Sequence, residues 1–345
     1  MSNITVHFAT NRTPKGSPPT GFGNGLSSHE GLDLRFGSGQ VRITGSKPTF
    51  IKKSLKVQTE ALYAPTRSSS AKATPERFAL GSEDVFNNLR GELKACKRDA
   101  VAVIHGFANS FESGLTGAAS VLTATGLEDW PVFAFCWPSN NHVTQYFPDR
   151  KDARRSGEAG ARAIRKLASY LLDLSRDEMC RQSLHLVTHS MGGYVLRAAL
   201  QALRREDPAL TKLQLFGEVL MVASDEDADA LEHEDKLLPL ARMARRVTVY
   251  HTYKDRPLWF SDALKFNPDR LGARGPSRMS MVPENVVAVD VSQVVTSSKS
   301  DISHNYHRTL PAAAADLAGT LKGVCDDRPD TRRLIGDRRF ELLNA

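Results

Sequence analysis

Between residues 99 and 291 the chain repeats one pattern: a compact apolar run without polar alternation, then a stretch with helical spacing. The runs are Ala100–His105, Pro131–Trp137, Leu184–Thr188, Phe216–Ala223, Arg246–Tyr253 and Val286–Val291. The helical patterns between them include 110–125, 151–174 and Met191–Arg204. In the second of these, Ala161, Ile164, Leu167, Ala168 and Leu171 recur on one side. A strand exposed on one face alternates; a strand covered on both faces has no need to. Such strands alternating with helices predict an α/β fold, a mostly parallel central sheet covered by helices on both faces. Ligands of open sheets of this kind bind outside the carboxyl ends of the strands. The residues that follow each run are therefore the candidates for chemistry.

The third run ends in Thr188-His189-Ser190-Met191-Gly192. This fits G-x-S-x-G with Thr in place of the first Gly. In that motif a sharp strand-to-helix turn strains the serine backbone and leaves little room two residues either side. An ordinary strand end followed by a helix cap is the plain alternative. The first run ends in His105-Gly106-Phe107. A serine nucleophile needs an oxyanion hole, made by the N–H of the next residue, here Met191, and one from an earlier strand's loop, for which Phe107 is placed. His105 would brace that loop.

A serine also needs a base and an acid that orients it, in the chain order serine, acid, histidine. Asp255 stands at the end of the fifth run; Asp225, in Asp225-Glu226-Asp227 after the fourth, is its rival. Asp255 is preferred because an acid one strand before the histidine is the commoner arrangement. Beyond the sixth run, His304 and His307 compete for the base. His304 is nearer the strand and is preferred. His105, His142, His189 and His251 stand at the wrong place in the order. Together these strand ends predict a serine hydrolase with Ser190, His304 and Asp255 as its triad. Segment 138–156 is a candidate substrate-covering loop, and His105, His189, Tyr146 and Trp259 are candidate pocket residues. Trp137 and Cys136 read as core.

Several of these stretches resemble a known family. Val103-Ile104-His105-Gly106-Phe107, Phe135-Cys136-Trp137-Pro138-Ser139 and Thr188-His189-Ser190-Met191-Gly192 are similar to the bacterial esterase/lipase-like α/β-hydrolases of a domain of unknown function. So are Phe8-Ala9-Thr10-Asn11-Arg12, Tyr146-Phe147-Pro148-Asp149-Arg150, and Arg270-Leu271-Gly272 paired with His304-Asn305-Tyr306. The resemblance covers residues 5–310. It implies an α/β-hydrolase fold with Ser190 as nucleophile, His304 as base and Asp255 as acid. The chain departs from the family pattern at Ala108, which moves Asn109 one place later, and at Ala223-Ser224-Asp225, which lacks a proline.

Outside this core the sequence says less. Residues 1–80 read as an N-terminal extension packing on the main domain: a strand at 3–9, a Gly-, Ser- and Pro-rich loop at 11–35, strand-like pieces such as 40–44, and a Ser-rich break at 67–73. The catalytic domain is placed at 81–323, opening on a helix at 82–98 and closing on one at 310–322. The tail, 324–345, reads as weakly structured. The four cysteines are scattered without a C-x-x-C pair, which argues against a zinc ribbon or redox motif. No metal or organic cofactor is expected. Net charge is +7, yet acidic residues interleave nearly everywhere and no aromatic-interleaved basic stripe appears, so no nucleic-acid partner is expected. The start MSNITVHFATNR lacks the features of a signal peptide, and no run of about 18 apolar residues predicts a membrane span. A cytoplasmic location and a small ester substrate are expected. An amidase, peptidase or thioesterase on the same triad, or a non-catalytic binding protein, are the alternatives.

Overall fold

A computed structural model describes residues 2–27, 33–45, 47–58, 81–172, 182–258, 269–297 and 299–344. The six apolar runs form strands β6 (Ala100–Ile104), β7 (Val132–Phe135), β8 (Leu184–His189), β9 (Phe216–Val222), β10 (Ala244–His251) and β11 (Val286–Asp290). Five more strands join them: β1 (Ser2–Thr10), β4 (Arg35–Thr44), β5 (Lys47–Gln58), β12 (Arg332–Gly336) and β13 (Arg339–Leu342). The sheet order is β12-β13-β11-β10-β9-β8-β6-β7-β1-β4-β5. All neighbours from β13 to β1 pair in parallel, while β12, β4 and β5 pair antiparallel.

The helices are α1 (Gly81–Cys96), α2 (Phe111–Thr125), α3 (Tyr146–Arg155), α4 (Gly157–Leu172), α5 (Gly192–Glu206), α6 (Leu238–Arg242), α7 (Leu271–Arg274), α8 (Ser300–Ser303), α9 (Tyr306–Thr309) and α10 (Pro311–Leu321). They explain why the strands do not alternate. In β6, Ala102 and Ile104 join the core shared with α4 and α5, while Val101 and Val103 join the core shared with α2 and α10. Both faces of the strand are thus dry. Helix α2 shows how local chemistry fixes an element. Ser110 and Ser113 each accept a backbone N–H from the other, a reciprocal cap at its start. Gly126, at φ +64°, closes its other end. Phe111, Leu115, Ala118 and Leu122 then lie on its buried face.

Three expectations are corrected. Segment 11–35 is more than loop: β2 (Arg12–Lys15) and β3 (Gly21–Leu26) pair as a hairpin, and β4 begins at Arg35. The strand-like piece at 40–44 is the end of a ten-residue strand. The tail, expected to be weakly structured, forms the β12–β13 hairpin at one sheet edge. Phe340 and Leu342 enter the core, and much of the remaining anchorage is ionic. Arg332 is buried and donates to both carboxylate oxygens of Asp316, at 2.8 and 2.7 Å.

The two outermost strands carry irregularities. The β4–β5 register shifts between Ser38 and Gln40, and Lys47, Lys52, Lys53 and Lys56 on β5 are exposed. The β12–β13 register shifts between Leu334 and Gly336. Among the described residues, no helix is long and apolar enough to cross a membrane.

Candidate active site

Ser190 follows β8 directly and has φ +53°, a left-handed conformation costly for a residue with a Cβ. The turn is held by backbone bonds. Ser190 N–H donates to Val222 O at 3.0 Å, and Ser190 O accepts from Gly193 N–H at 3.1 Å and Asp225 N–H at 3.2 Å. Gly192 is needed by contact: a Cβ there would stand 2.6 Å from Ile104 O. Thr188, where the motif has glycine, is fully buried inside β8. Helix α5 starts two residues after Ser190, so its free N–H end faces this turn.

The loop after β6 lies against the serine. A Cβ on Gly106 would come 2.9 Å from the Ser190 Cβ. Among the described residues, neither Phe107 N–H nor Met191 N–H donates a hydrogen bond. These are the two backbone donors the sequence singled out. Several neighbouring groups of the loop are engaged. Ala108, at φ +56°, donates its N–H to Asp149 Oδ2 at 3.3 Å. Asn109 sends its side-chain amide to the carbonyls of Gly106 and Phe107, at 3.1 and 2.9 Å.

His304 sits between the short helices α8 and α9, and its Nδ1 stands 2.8 Å from Asp255 Oδ2. Asp255 is buried in the turn after β10, where its other oxygen accepts from Leu258 N–H at 3.1 Å. Tyr306 holds this corner to the sheet: its hydroxyl donates to Tyr250 O and accepts from Ala223 N–H, both at 2.9 Å. The rival residues have other partners. Asp225 accepts from the Tyr146 hydroxyl at 2.5 Å and lies 3.8 Å from Arg270 Nε. His307 is buried, with its ring 4.8 Å from that of His189. Burial pushes the His307 imidazolium well below its usual range, with the nearby His189 adding to it.

The candidate pocket residues divide. His105 is buried and stacked on Trp137, rings 5.3 Å apart, with Nδ1 2.8 Å from Gly106 O. Burial, with Arg12 second, lowers its pKa to about 3, so it stays neutral as a loop brace. His189 donates from Nε2 to His304 O at 3.0 Å, and its ring lies 4.7 Å from that of His304. It too is held neutral, chiefly by burial. Tyr146 packs edge-on against Phe107 with centroids 5.7 Å apart, and Phe147 beside it is exposed. The segment expected to cover the site thus carries helix α3, whose first residues form this aromatic group. Trp259 lies outside the described residues. Trp137 and Cys136 are fully buried.

Sequence reasoning assigned no role to Asp149, Arg12 or Tyr306, although all three stand in the stretches that carry the resemblance. Arg12 reaches Asn109, Asp149 reaches Ala108 and Tyr306 reaches Ala223 across 97, 41 and 83 residues of chain, so no local spacing could identify these contacts.

A parallel sheet wrapped by helices, with a strained serine where a central strand turns into a helix, is the architecture of an alpha/beta hydrolase. The family model described as alpha/beta hydrolase of unknown function (DUF900) matches residues 82–320, and the chain belongs to that family. A comparison with curated proteins finds no match.

Proposed function

We propose that the chain is a serine hydrolase acting on carboxylic esters through an acyl-enzyme. The observation that carries this reading is the 2.8 Å His304–Asp255 hydrogen bond, with His304 O bonded to His189, the residue before the strained Ser190. In this reading Ser190 Oγ attacks the ester carbonyl and His304 takes its proton. Asp255 holds the imidazole tautomer and stabilises the imidazolium. The N–H groups of Phe107 and Met191 receive the oxyanion; losing one such donor costs about a hundredfold or more in kcat. His304 returns the proton to the departing alkoxide, and water then releases the acyl group by the same route.

A fluorophosphonate probe tests the nucleophile. Wild type should label and Ser190→Ala should not; a wild type that stays unlabelled would sink the reading. Parallel panels of p-nitrophenyl esters, thioesters and anilides then test the substrate class. Esters should be turned over fastest, and faster anilide or thioester cleavage would replace the ester assignment.

A further inference from the structure

The loop that carries Phe107 is gripped from two sides by groups far away in the chain. On one side stands Asp149 of α3, fully buried. Its carboxylate accepts the Ala108 N–H at 3.3 Å, the Ser139 hydroxyl, and the backbone and side-chain N–H groups of Asn140 at 2.9 and 2.6 Å. Ser139 Oγ in turn accepts the Asn109 N–H at 3.2 Å. On the other side stands Arg12, also fully buried, at the start of β2. Its guanidinium donates to Asn109 O at 2.8 Å, to Ser139 O at 3.3 Å and to Gly23 O at 3.2 Å. Thr10 and Asn11 extend the same seam, donating to Cys136 O at 2.6 Å and Ser156 Oγ at 3.0 Å.

The consequence is geometric. A peptide plane is rigid, so the direction of the Phe107 N–H follows from the backbone torsions on either side of it. The Gly106 and Phe107 carbonyls are held by the Asn109 side chain, the Ala108 N–H by Asp149, and both backbone groups of Asn109 by Ser139 and Arg12. Ala108 is also kept at positive φ, a conformation an alanine leaves readily when its surroundings allow. A buried cation and a buried anion are costly to place and strongly directional once hydrogen-bonded. They hold Ala108 and Asn109 directly, and Asn109 in turn holds Gly106 and Phe107, which is more than covering a core requires.

We propose that Arg12 and Asp149 are positioning residues that aim the Phe107 N–H at the oxyanion. On this account the N-terminal segment, which lies outside the family-matched residues 82–320, is a working part of the active site. The inference rests on the serine-hydrolase reading above. It also gives the covering segment a second task, because Ser139, Asn140 and Asp149 all belong to it.

The test compares full-length wild type with Asp149→Asn, Arg12→Gln and Asn109→Ala on an oxygen ester and its thiono counterpart. Thermal melting is recorded for each. Sulfur accepts hydrogen bonds weakly, so an enzyme with a well-aimed oxyanion hole prefers the oxygen ester, and misaiming erodes that preference. Asp149→Asn and Arg12→Gln should lower kcat on the oxygen ester by roughly ten- to a hundredfold with KM nearly unchanged, as a displaced donor does. The oxygen-to-thiono rate ratio should fall with it. Asn109→Ala should act in the same direction and less strongly; it decides between the outcomes if the buried-ion variants melt below the assay temperature. Folded variants whose rate ratio matches wild type overturn the proposal, even when kcat has dropped. A wild type that neither labels with fluorophosphonate nor cleaves either ester sinks the hydrolase reading and this role with it. An active wild type with unmoved ratios sinks the positioning role alone.

Discussion

Asp225 and Asp255 stand beyond the neighbouring strands β9 and β10, and both are buried. Their surroundings differ. Asp255 has one histidine and one backbone N–H. Asp225 lies in a network with Tyr146, Arg270 and, through Arg270, Asp227 at 2.7 Å. Arg270 is fully buried, and its guanidinium is held firmly charged by Tyr194 and these carboxylates against the penalty of burial. A carboxylate beside a permanent cation serves as its counter-charge. A carboxylate beside an imidazole can respond to a proton arriving there. The same residue type at equivalent strand ends thus acquires an electrostatic task in one place and, on the proposed mechanism, a chemical one in the next.

The largest effect should separate the two directly. Asp255→Asn should lower kcat by about ten-thousandfold, the order seen when a triad acid loses control of its histidine. Asp225→Asn should lower it less than about tenfold while reducing the melting temperature. Steady-state kinetics on both variants decides; a slower Asp225→Asn enzyme would exchange the roles. Next comes the cation. Arg270→Met leaves Asp225 and Asp227 without their buried partner and should cost about 3–5 kcal/mol in a urea titration. A loss near zero would mean that the network does not depend on Arg270.

The third test is a pH profile. Glu226, between the two network aspartates in sequence, is fully buried 3.1 Å from Arg197. Burial outweighs that cation and raises its pKa to about 7. Between about pH 4.5 and 7 the folded chain therefore keeps a proton that the unfolded chain has released, so stability falls as pH rises through this window. At about 1.4 kcal/mol per pH unit the fall is at most about 3.5 kcal/mol. Glu226→Gln should remove this slope, and an unchanged slope would assign it elsewhere. The smallest effect is a control away from both carboxylates: Ser110→Ala removes the α2 cap and should cost about 1 kcal/mol with kcat within about twofold.

Much of this was legible in the sequence because it is local. Unalternated runs such as Val101-Ala102-Val103-Ile104 report strands buried on both faces, and Ser190 with Gly192 reports a tight turn. The acid was harder, since Asp225 and Asp255 occupy like positions. Only the fold brings one to His304 and the other to Arg270. The sequence pattern was silent where buried charge replaces apolar area. Arg332 on Asp316 anchors a hairpin that hydropathy reads as a tail. Arg12 and Asp149 grip a loop from before and after it in the sequence, 97 and 41 residues away, and neither has a period or spacing that could announce it.

The lysines along β5 and the register shift in each edge pair bear on how the chain behaves among copies of itself. An outermost strand offers a row of unpaired backbone groups to any other strand it meets. Burying Lys47, Lys52, Lys53 and Lys56 against a second chain would strand their charges, and a bulged edge twists away from a flat partner. Part of the surplus positive charge thus sits where it keeps a broad sheet from growing into a fibre. Replacing Lys52 and Lys53 with valine should leave the fold intact and make concentrated solutions turbid.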